Sequence, residues 1–378
     1  MNKKSVGIIT MHKVWNFGSA LQAYATQYAI DSLGYSAELI DYKYPNLEHS
    51  AFQNRIAQAC DLNIQQSLRL LLSKIKSKIC PKDNNLFEKF YSDNFCCSKY
   101  QYFSRLDLHI NPPHYDIYLS GSDQVWNPNY IGFDTTFMLD FVPGQSKKVS
   151  FASSFSVSEI PTCFKKLYKP CLESYSYISV RESSGKRIIK ELTGKEAQVV
   201  CDPTLLLDAS QWLSLVDRSY VKVSEPYLLV YIMGYAYNPY PDIYNYIERV
   251  NNELQLPIIY VNAHPGKLGD KFKEIKVGPL GPNEFLYLVS HASFVITDSF
   301  HGTAFSLNFG RRFISCVKSL TNSDSRMLDF LHIVGEDQRA VVFNQHDQIS
   351  FEPLSSLTVE RLKDYRVSSI QYLKQILG

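Results

Sequence analysis

The chain alternates short apolar runs with longer segments in which apolar residues recur at helical spacing. Residues 5–10 have the pattern of a buried strand, residues 19–33 that of a helix that Gly34 ends, and residues 37–41 that of a second strand. A strand, a helix and a strand in this order form a βαβ unit. The pattern therefore predicts a parallel sheet with right-handed crossovers.

Further apolar runs predict more strands, most of them followed by polar residues. In the first half of the chain they cover residues 115–119, 149–152, 178–180 and 198–201. We expect their polar loops to lie together at the ligand-binding edge of one sheet. A second series predicts strands at 227–233, 257–262, 294–297 and 312–317, with helices at 242–254, 282–290, 303–308 and 327–333.

Two such series predict an α/β protein with two Rossmann-like domains that face each other across a cleft. The first domain covers residues 1–210, with a helical insertion at about 50–100, and the second covers residues 220–350. A lone helical pattern at 355–378 could cross back onto the first domain.

Composition limits the function classes. Of 378 residues, 45% are hydrophobic and 20% charged, which predicts packed cores. The net charge of +2 gives no general attraction for nucleic acid, so any anion site must be local. No dinucleotide fingerprint, P-loop, D-x-D motif or zinc spacing of Cys and His occurs, so we expect no metal site. No apolar run is long enough for a membrane span or a signal peptide, which favours a cytoplasmic protein.

The segment with the clearest chemistry is 294–310. Its apolar run ends in Asp298-Ser299-Phe300-His301-Gly302 and a short helical pattern follows. This places His301 where a strand ends and a helix begins, beside free backbone N–H groups that favour an anion such as phosphate. Ser299, Gly302 and Thr303 would belong to that anion site. A helix-capping loop with a hydrogen-bonded histidine is the alternative.

Arg181 follows a predicted strand, where its guanidinium could bind a carboxylate or phosphate through two hydrogen bonds. An ion pair with Glu182 or another surface acid is the alternative. Asp202 precedes Pro203 and could simply fix that turn. Two other loops are candidates for binding a second substrate, although turn formation or core packing would explain their residues nearly as well: Asn16, Gly18 and Ser19 in one, and Ser122, Asp123, Gln124 and Trp126 in the other.

Residues 54–79 are basic and amphipathic. A helix of this kind can rest on an anionic membrane surface. The alternative is a helical arm that packs on its own domain.

Six motifs occur in an order that resembles the polysaccharide pyruvyl transferase family, over roughly residues 5 to 340. They are GIITMHKVWNFGSALQAYATQYAI, SGSDQVWNP, SFASSF, SVRE, VCDPTLLL and ITDSFHGTAFSLNFG. The resemblance implies a GT-B-like two-domain fold, with the acceptor on the first domain and the donor on the second. It also implies transfer of pyruvate from phosphoenolpyruvate to a sugar, usually as a cyclic ketal.

The acceptor implied by the resemblance is a surface polysaccharide (an exopolysaccharide) or its lipid-linked precursor, which would bring the protein to the inner face of the cell membrane. Phosphoenolpyruvate is a substrate here, and no cofactor is implied. The family's catalytic arginine and histidine map onto Arg181 and His301. A further basic residue follows the histidine in the family, and Lys318 and Arg326 are both near that position. Two alternatives are a nucleotide-sugar glycosyltransferase of the same fold and a non-catalytic glycan-assembly protein.

Overall fold

The computed structural model describes residues 3–43, 85–234, 237–319, 325–342 and 348–378. The basic segment 54–79 lies outside the described residues. The predicted fold class is confirmed, because the chain forms two Rossmann-like α/β units, each with a five-stranded parallel sheet.

The sheet of the first unit contains strands β1 (Ser5–Ile9), β2 (Ser36–Tyr42), β3 (Cys97–Tyr102), β4 (Ile117–Ser120) and β5 (Lys147–Ser150). They are all parallel, in the order β3-β2-β1-β4-β5. Its helices are α1 (Phe17–Ser32), α2 (Asn85–Asn94), α3 (Arg105–Ile110), α4 (Pro128–Ile131), α5 (Thr162–Glu173) and α6 (Ser183–Thr193). The predicted insertion at 50–100 therefore contains the start of β3, an edge strand without an apolar run.

Two short strands, β6 (Ser179–Val180) and β7 (Gln198–Val199), form a separate parallel pair. Isolated bridges join this pair to the end of β5, between Val149 and Tyr177 and between Ser153 and Val180. The expectation that all these strands belong to one sheet is therefore wrong, although their polar ends do lie together.

The second unit contains strands β8 (Leu228–Tyr231), β9 (Ile258–Val261), β10 (Phe294–Thr297), β11 (Arg312–Val317) and β12 (Ala340–Val342). Their order is β12-β11-β10-β8-β9. The remaining helices are α7 (Ala209–Val216), α8 (Ile243–Leu254), α9 (Pro282–His291), α10 (Phe300–Asn308), α11 (Ser325–Val334) and α12 (Ser356–Leu377). Every residue of β10 is buried, as expected for a parallel strand with helices on both faces.

In each sheet the strand order reverses once, between β1 and β4 in the first and between β8 and β10 in the second. Loops at such reversal points form the ligand crevice of open α/β sheets. The two reversal points face each other, because His301, after β10, contacts Gly18 at the start of α1.

The hydrophobic core continues from one unit into the other. Phe17, at the start of α1, stacks on Phe285 of α9 with ring centroids 4.8 Å apart and an interplanar angle of 3°. It also stacks on Phe87 of α2 at 5.4 Å. The start of α1 is therefore anchored in the second unit.

Helix α12 crosses back to the first unit, as predicted. Tyr372 donates to the carbonyl oxygen of Ile178 at 3.1 Å, and Ser369 Oγ accepts from the Cys201 N–H at 2.9 Å. No helix among the described residues has both the length and the apolar character needed to cross a bilayer.

Candidate active site

His301 lies at the start of α10, where the sequence predicts a strand-to-helix junction. Ser299 caps the helix, since its hydroxyl accepts from the Gly302 N–H at 3.3 Å. The helix begins at Phe300, one turn earlier than predicted. His301 is therefore in the first turn, with its side chain buried (8% exposed).

Gly18 of the first unit lies directly against the His301 ring. A Cβ built on Gly18 would be 2.0 Å from His301 Nδ1 and 2.2 Å from its Cγ, well inside van der Waals contact. Gly18, predicted to belong to an acceptor-binding turn, therefore makes room for the imidazole because it has no side chain.

Asp202 lies on the other side of the imidazole and links it to Arg181. Its Oδ2 atom accepts from Arg181 Nη1 at 2.7 Å and lies 3.7 Å from His301 Nε2. Ser122 Oγ is 2.9 Å from the same oxygen. The second carboxylate oxygen accepts from the Thr204 N–H at 3.0 Å, so Asp202 fixes the predicted turn and also takes part in the site.

Asp123 is a second buried carboxylate beside Arg181. Its Oδ1 atom lies 3.8 Å from Arg181 Nη2, and its Oδ2 atom accepts from the Ser19 hydroxyl at 2.5 Å. Its backbone is in the left-handed region (φ 71°), which a residue other than glycine adopts where its surroundings impose it. Ser19 and Asp123, predicted in separate loops, are thus brought together.

Arg181 is almost fully enclosed, so the surface ion pair with Glu182 does not form. Glu182 instead accepts the Phe155 N–H at 2.9 Å. The Arg181 guanidinium carbon lies 4.5 Å from the centre of the Phe300 ring. Arg181 Nε and Nη2 and His301 Nε2 are buried and make no hydrogen bond to any described residue.

The charges in this cluster support one another. Burial alone would raise the pKa of Asp202 and Asp123, but His301 and Arg181 hold both pKa values below the usual range of an aspartate. Burial alone would lower the pKa of Arg181, but Asp202 and Asp123 raise it above its usual value. Both aspartates and Arg181 are therefore ionised at neutral pH.

Of the two candidates for a further basic residue, the structure brings Arg326 into the site. Arg326 Nη1 donates to Ser156 Oγ at 2.6 Å. Burial lowers its pKa, and repulsion from the positive charge of Arg181 lowers it further. Lys318 is exposed at the end of β11.

Two residues predicted beside the donor phosphate have structural roles. A Cβ on Gly302 would be 2.5 Å from Thr297 Oγ1, so this glycine allows α10 to pack on β10 rather than a phosphate to approach. Thr303 is fully buried and its hydroxyl lies 2.6 Å from Ser315 Oγ. The Gly302 amide is bonded to the cap, and that of Thr303 donates to the Ser299 carbonyl.

Three residues predicted on the acceptor side are also structural. Trp126 is fully buried and donates its indole N–H to the Phe137 carbonyl oxygen at 3.2 Å, so it cannot stack on a sugar and the core alternative holds. Asn16 caps α1 by accepting the Ser19 N–H at 3.1 Å. Gln124 accepts from Asn127 Nδ2 at 2.7 Å.

Sequence reasoning missed the role of Asp202 at the site. The signal available was its place directly after a predicted strand, at the same sheet edge as Arg181. Asp298 immediately precedes Ser299, the N-cap of α10. Its carboxylate accepts from the Met233 and Gly234 N–H groups at 2.6 and 2.8 Å and so holds the loop after β8.

Solved structures of similar architecture have low sequence identity to this chain. A UDP-GlcNAc 2-epimerase from Methanocaldococcus jannaschii is 11% identical over 97% of this chain and 99% of that one, with a TM-score of 0.49. A UDP-N-acetylglucosamine 2-epimerase from Rickettsia bellii is 10% identical over 99% and 98%, with a TM-score of 0.48. An E. coli heptosyltransferase solved with ADP is 10% identical over 96% and 99%, with a TM-score of 0.42.

Comparison of the sequence with protein-family models is more specific than the comparison with solved structures. No curated protein sequence matches the chain significantly. The family model described as polysaccharide pyruvyl transferase matches residues 16–318, a span that includes Gly18, Asp123, Arg181, Asp202 and His301. Because this match covers most of the chain, the protein belongs to the polysaccharide pyruvyl transferase family, a family of enzymes.

Proposed function

We propose that this enzyme transfers pyruvate from phosphoenolpyruvate to the hydroxyls of a sugar and forms a cyclic ketal. The observation that carries the proposal is the set of buried nitrogen atoms without hydrogen-bond partners among the described residues: Arg181 Nε, Arg181 Nη2 and His301 Nε2. Buried polar groups are rarely left unpaired. A small ligand with several anionic oxygens would pair all three.

Phosphoenolpyruvate would bring negative charge to the two arginines of the site, Arg181 and Arg326. Arg181 and Arg326 repel each other, and a phosphate or carboxylate between them would relieve that repulsion. A guanidinium binds either group through two parallel hydrogen bonds. Phe300 and His301 supply the first amides of α10, where the helix dipole favours an anion.

The reaction requires several proton transfers. A proton adds to the methylene carbon of the donor, and a sugar hydroxyl bonds to the adjacent carbon as it loses its own proton. The bond between that carbon and the phosphate oxygen then breaks, releasing inorganic phosphate. A second hydroxyl of the same sugar bonds to the carbon, and its proton leaves. The hydroxyl protons balance the one gained by the methyl group and the one gained by phosphate.

His301 is the group that we assign to these transfers. An imidazole titrates close to neutral pH and can act as both acid and base. Its Nε2 atom has no hydrogen-bond partner among the described residues and lies 3.7 Å from Asp202, whose negative charge would stabilise the imidazolium. In this scheme Arg181 binds the donor, while Asp123 and Asp202 fix the guanidinium.

The acceptor would bind on the first unit, as part of a surface polysaccharide or its lipid-linked precursor. An intracellular donor places the reaction in the cytoplasm, and a lipid-linked acceptor would place it at the inner face of the membrane. Deletion of the basic segment 54–79 should then reduce binding to anionic vesicles. Unchanged binding would remove the reason for assigning the segment to the membrane.

The proposal is tested by thermal unfolding with phosphoenolpyruvate, UDP or GDP. A ligand that binds the folded state at 100 times its Kd stabilises it by about 2.7 kcal/mol. We expect phosphoenolpyruvate to raise the Tm of the wild type. Each variant is compared with its own Tm without ligand, and this Tm shift should be lost in Arg181→Ala and reduced in His301→Ala. The control is Arg187→Ala, which removes an exposed arginine of α6.

A shift with UDP or GDP and none with phosphoenolpyruvate would instead support a nucleotide-sugar glycosyltransferase. A stable protein that binds none of the three ligands but still binds partner enzymes would support the non-catalytic glycan-assembly role.

A further inference from the structure

Trp15, in the loop between β1 and α1, is the most exposed of the three tryptophans in the chain. It is 57% exposed, whereas Trp126 and Trp212 are fully buried. Leaving an indole in water forfeits the burial of a large apolar surface. Packing against the described residues therefore leaves more than half of the Trp15 surface available to a ligand.

The position of Trp15 along the chain keeps it close to the reaction centre. It precedes Gly18 by three residues, and Gly18 lies against the His301 ring. Three residues span at most about 11 Å between Cα atoms when fully extended. The distance between Trp15 and Gly18 is smaller than this maximum, because the loop turns where the Asn16 N–H donates to the Val14 carbonyl oxygen at 2.6 Å.

Charged side chains lie at the same edge of the first sheet as the loop that carries Trp15. Lys13, two residues away, is partly exposed and its Nζ is 2.7 Å from Asp41 Oδ2. Gln101 Nε2 donates to the same oxygen at 3.1 Å. Although burial opposes it, His12 and Lys13 lower the pKa of Asp41 to about 2, so this carboxylate is charged at neutral pH.

We propose that Trp15 is the platform on which the acceptor sugar ring stacks, with the partly exposed Lys13, held by the buried Asp41, donating to its hydroxyls. An aromatic face packs on the C–H face of a pyranose, and charged groups bond to its rim of hydroxyls. Trp126 and Gln124, which the sequence leaves open as candidates for binding the second substrate, are engaged within the chain. The inference rests on the proposed function, because it is the transfer reaction that requires an acceptor near His301.

Iodide quenching of tryptophan fluorescence tests sugar binding without any turnover. Because the other two tryptophans are fully buried, iodide reports on Trp15. The probes are the methyl pyranosides of glucose, galactose, mannose, N-acetylglucosamine and N-acetylmannosamine. We expect at least one to protect wild-type fluorescence from iodide, and Trp15→Phe to have little quenching left to protect. Lack of protection by all five overturns the inference.

Kinetics with a protecting sugar separate binding from chemistry. Trp15→Ala should raise the KM for the sugar by about 3- to 10-fold, as expected for loss of one aromatic contact, with kcat and the KM for phosphoenolpyruvate nearly unchanged. Trp15→Phe should recover most of the loss. The control is Tyr220→Ala, at an aromatic ring that is 53% exposed. An unchanged sugar KM in Trp15→Ala contradicts the inference.

The two claims fail in different ways. If a sugar protects Trp15 but the enzyme neither binds nor consumes phosphoenolpyruvate, the proposed function fails and the sugar site stands. If the enzyme consumes phosphoenolpyruvate but the sugar KM of Trp15→Ala is unchanged, the platform fails and the proposed function stands.

Discussion

His301 can lie against the first unit because residue 18 has no side chain. The imidazole fits between the Gly18 backbone on one side and Asp202 on the other, so two residues of the first unit define the position of a side chain of the second. Arg181 is held by Asp123 and Asp202 within the first unit, and it contacts the Phe300 ring of the second unit. At the residue scale, the site is therefore a set of contacts made across the seam between the units.

Gly18→Ala should reduce activity without destabilising α1. The new Cβ would be 2.0 Å from His301 Nδ1, so the ring must move. A misplacement of about 1 Å can lower the rate roughly 100-fold. Alanine is the better helix former by about 1 kcal/mol, so a stability loss in α1 would not explain the effect.

Steady-state kinetics beside thermal unfolding measure this effect. The matched control is Gly269→Ala, where the nearest atom would be 3.5 Å from the new Cβ. Wild-type kcat in Gly18→Ala would contradict the positioning of His301 by this contact.

Asp41→Asn should remove a pH-dependent part of the stability. The folded-state pKa of Asp41 is lowered to about 2, below its unfolded value near 3.9, so its contribution is present above pH 4 and lost as the pH falls towards 2. A shift of this size corresponds to about 2 kcal/mol. Urea unfolding from pH 3 to 7 should show the variant less stable at neutral pH, with the gap narrowing below pH 4. A gap that stays constant with pH would contradict this.

The sequence predicts the main residues of the site but not their network. Arg181 could be found because it directly follows a predicted strand, and His301 because it lies where a predicted strand leads into a helix. The partners of a loop side chain depend on tertiary contacts, so no sequence pattern shows that Gly18 contacts His301 or that Asp202 joins Arg181. For the same reason, Trp126 could equally be a stacking surface or core until its burial was known.

At the scale of elements, the start of α1 lies at the crevice of the first unit and also packs against the second unit. Its first residue, Phe17, stacks on Phe285 at 4.8 Å, and the next two contact His301 and Asp123. The aromatic contact therefore brings the polar residues of the helix start to the site.

Phe17→Ala should lower stability and activity together. Loss of a buried phenylalanine costs about 3–5 kcal/mol of unfolding free energy. The control is Phe137→Ala, which removes a fully buried ring that lies against Tyr42 of the first unit. At comparable destabilisation in urea, Phe17→Ala should lose more kcat than the control. An equal loss in the two variants would show that α1 does not position the site.

Element prediction succeeds where a strand is buried on both faces. The prediction for β10 is confirmed to the residue, because its four residues form a continuous apolar run. The edge strands β3 and β12 were not predicted. Strand β3 (CSKYQY) has one face towards solvent and therefore no apolar run, and β12 is only three residues long.

At the scale of the molecule, one hydrophobic core and helix α12 join the two units. Arg366 of α12 donates to the Leu205 carbonyl oxygen at 2.6 Å and to Asn308 Oδ1 at 2.9 Å, so it binds both units at once. Side chains of Leu373, Ile376 and Leu377 are fully buried. The units should therefore unfold together.

Calorimetry of the full chain should show one cooperative transition, which phosphoenolpyruvate moves as a whole. A site built from both units makes ligand binding stabilise both. Two transitions, of which phosphoenolpyruvate shifts only one, would mean that the contacts across the seam are weak.

The most direct test of the central claim is sugar-dependent turnover of phosphoenolpyruvate. The enzyme is incubated with phosphoenolpyruvate and the methyl pyranosides, and inorganic phosphate and the mass of the sugar product are measured together. For the wild type we predict that each phosphate released is matched by one sugar product whose mass has increased by that of pyruvic acid less one water. His301→Ala should form neither phosphate nor this product. Transfer from a UDP-sugar, with neither phosphate nor ketal formed from phosphoenolpyruvate, would contradict the account.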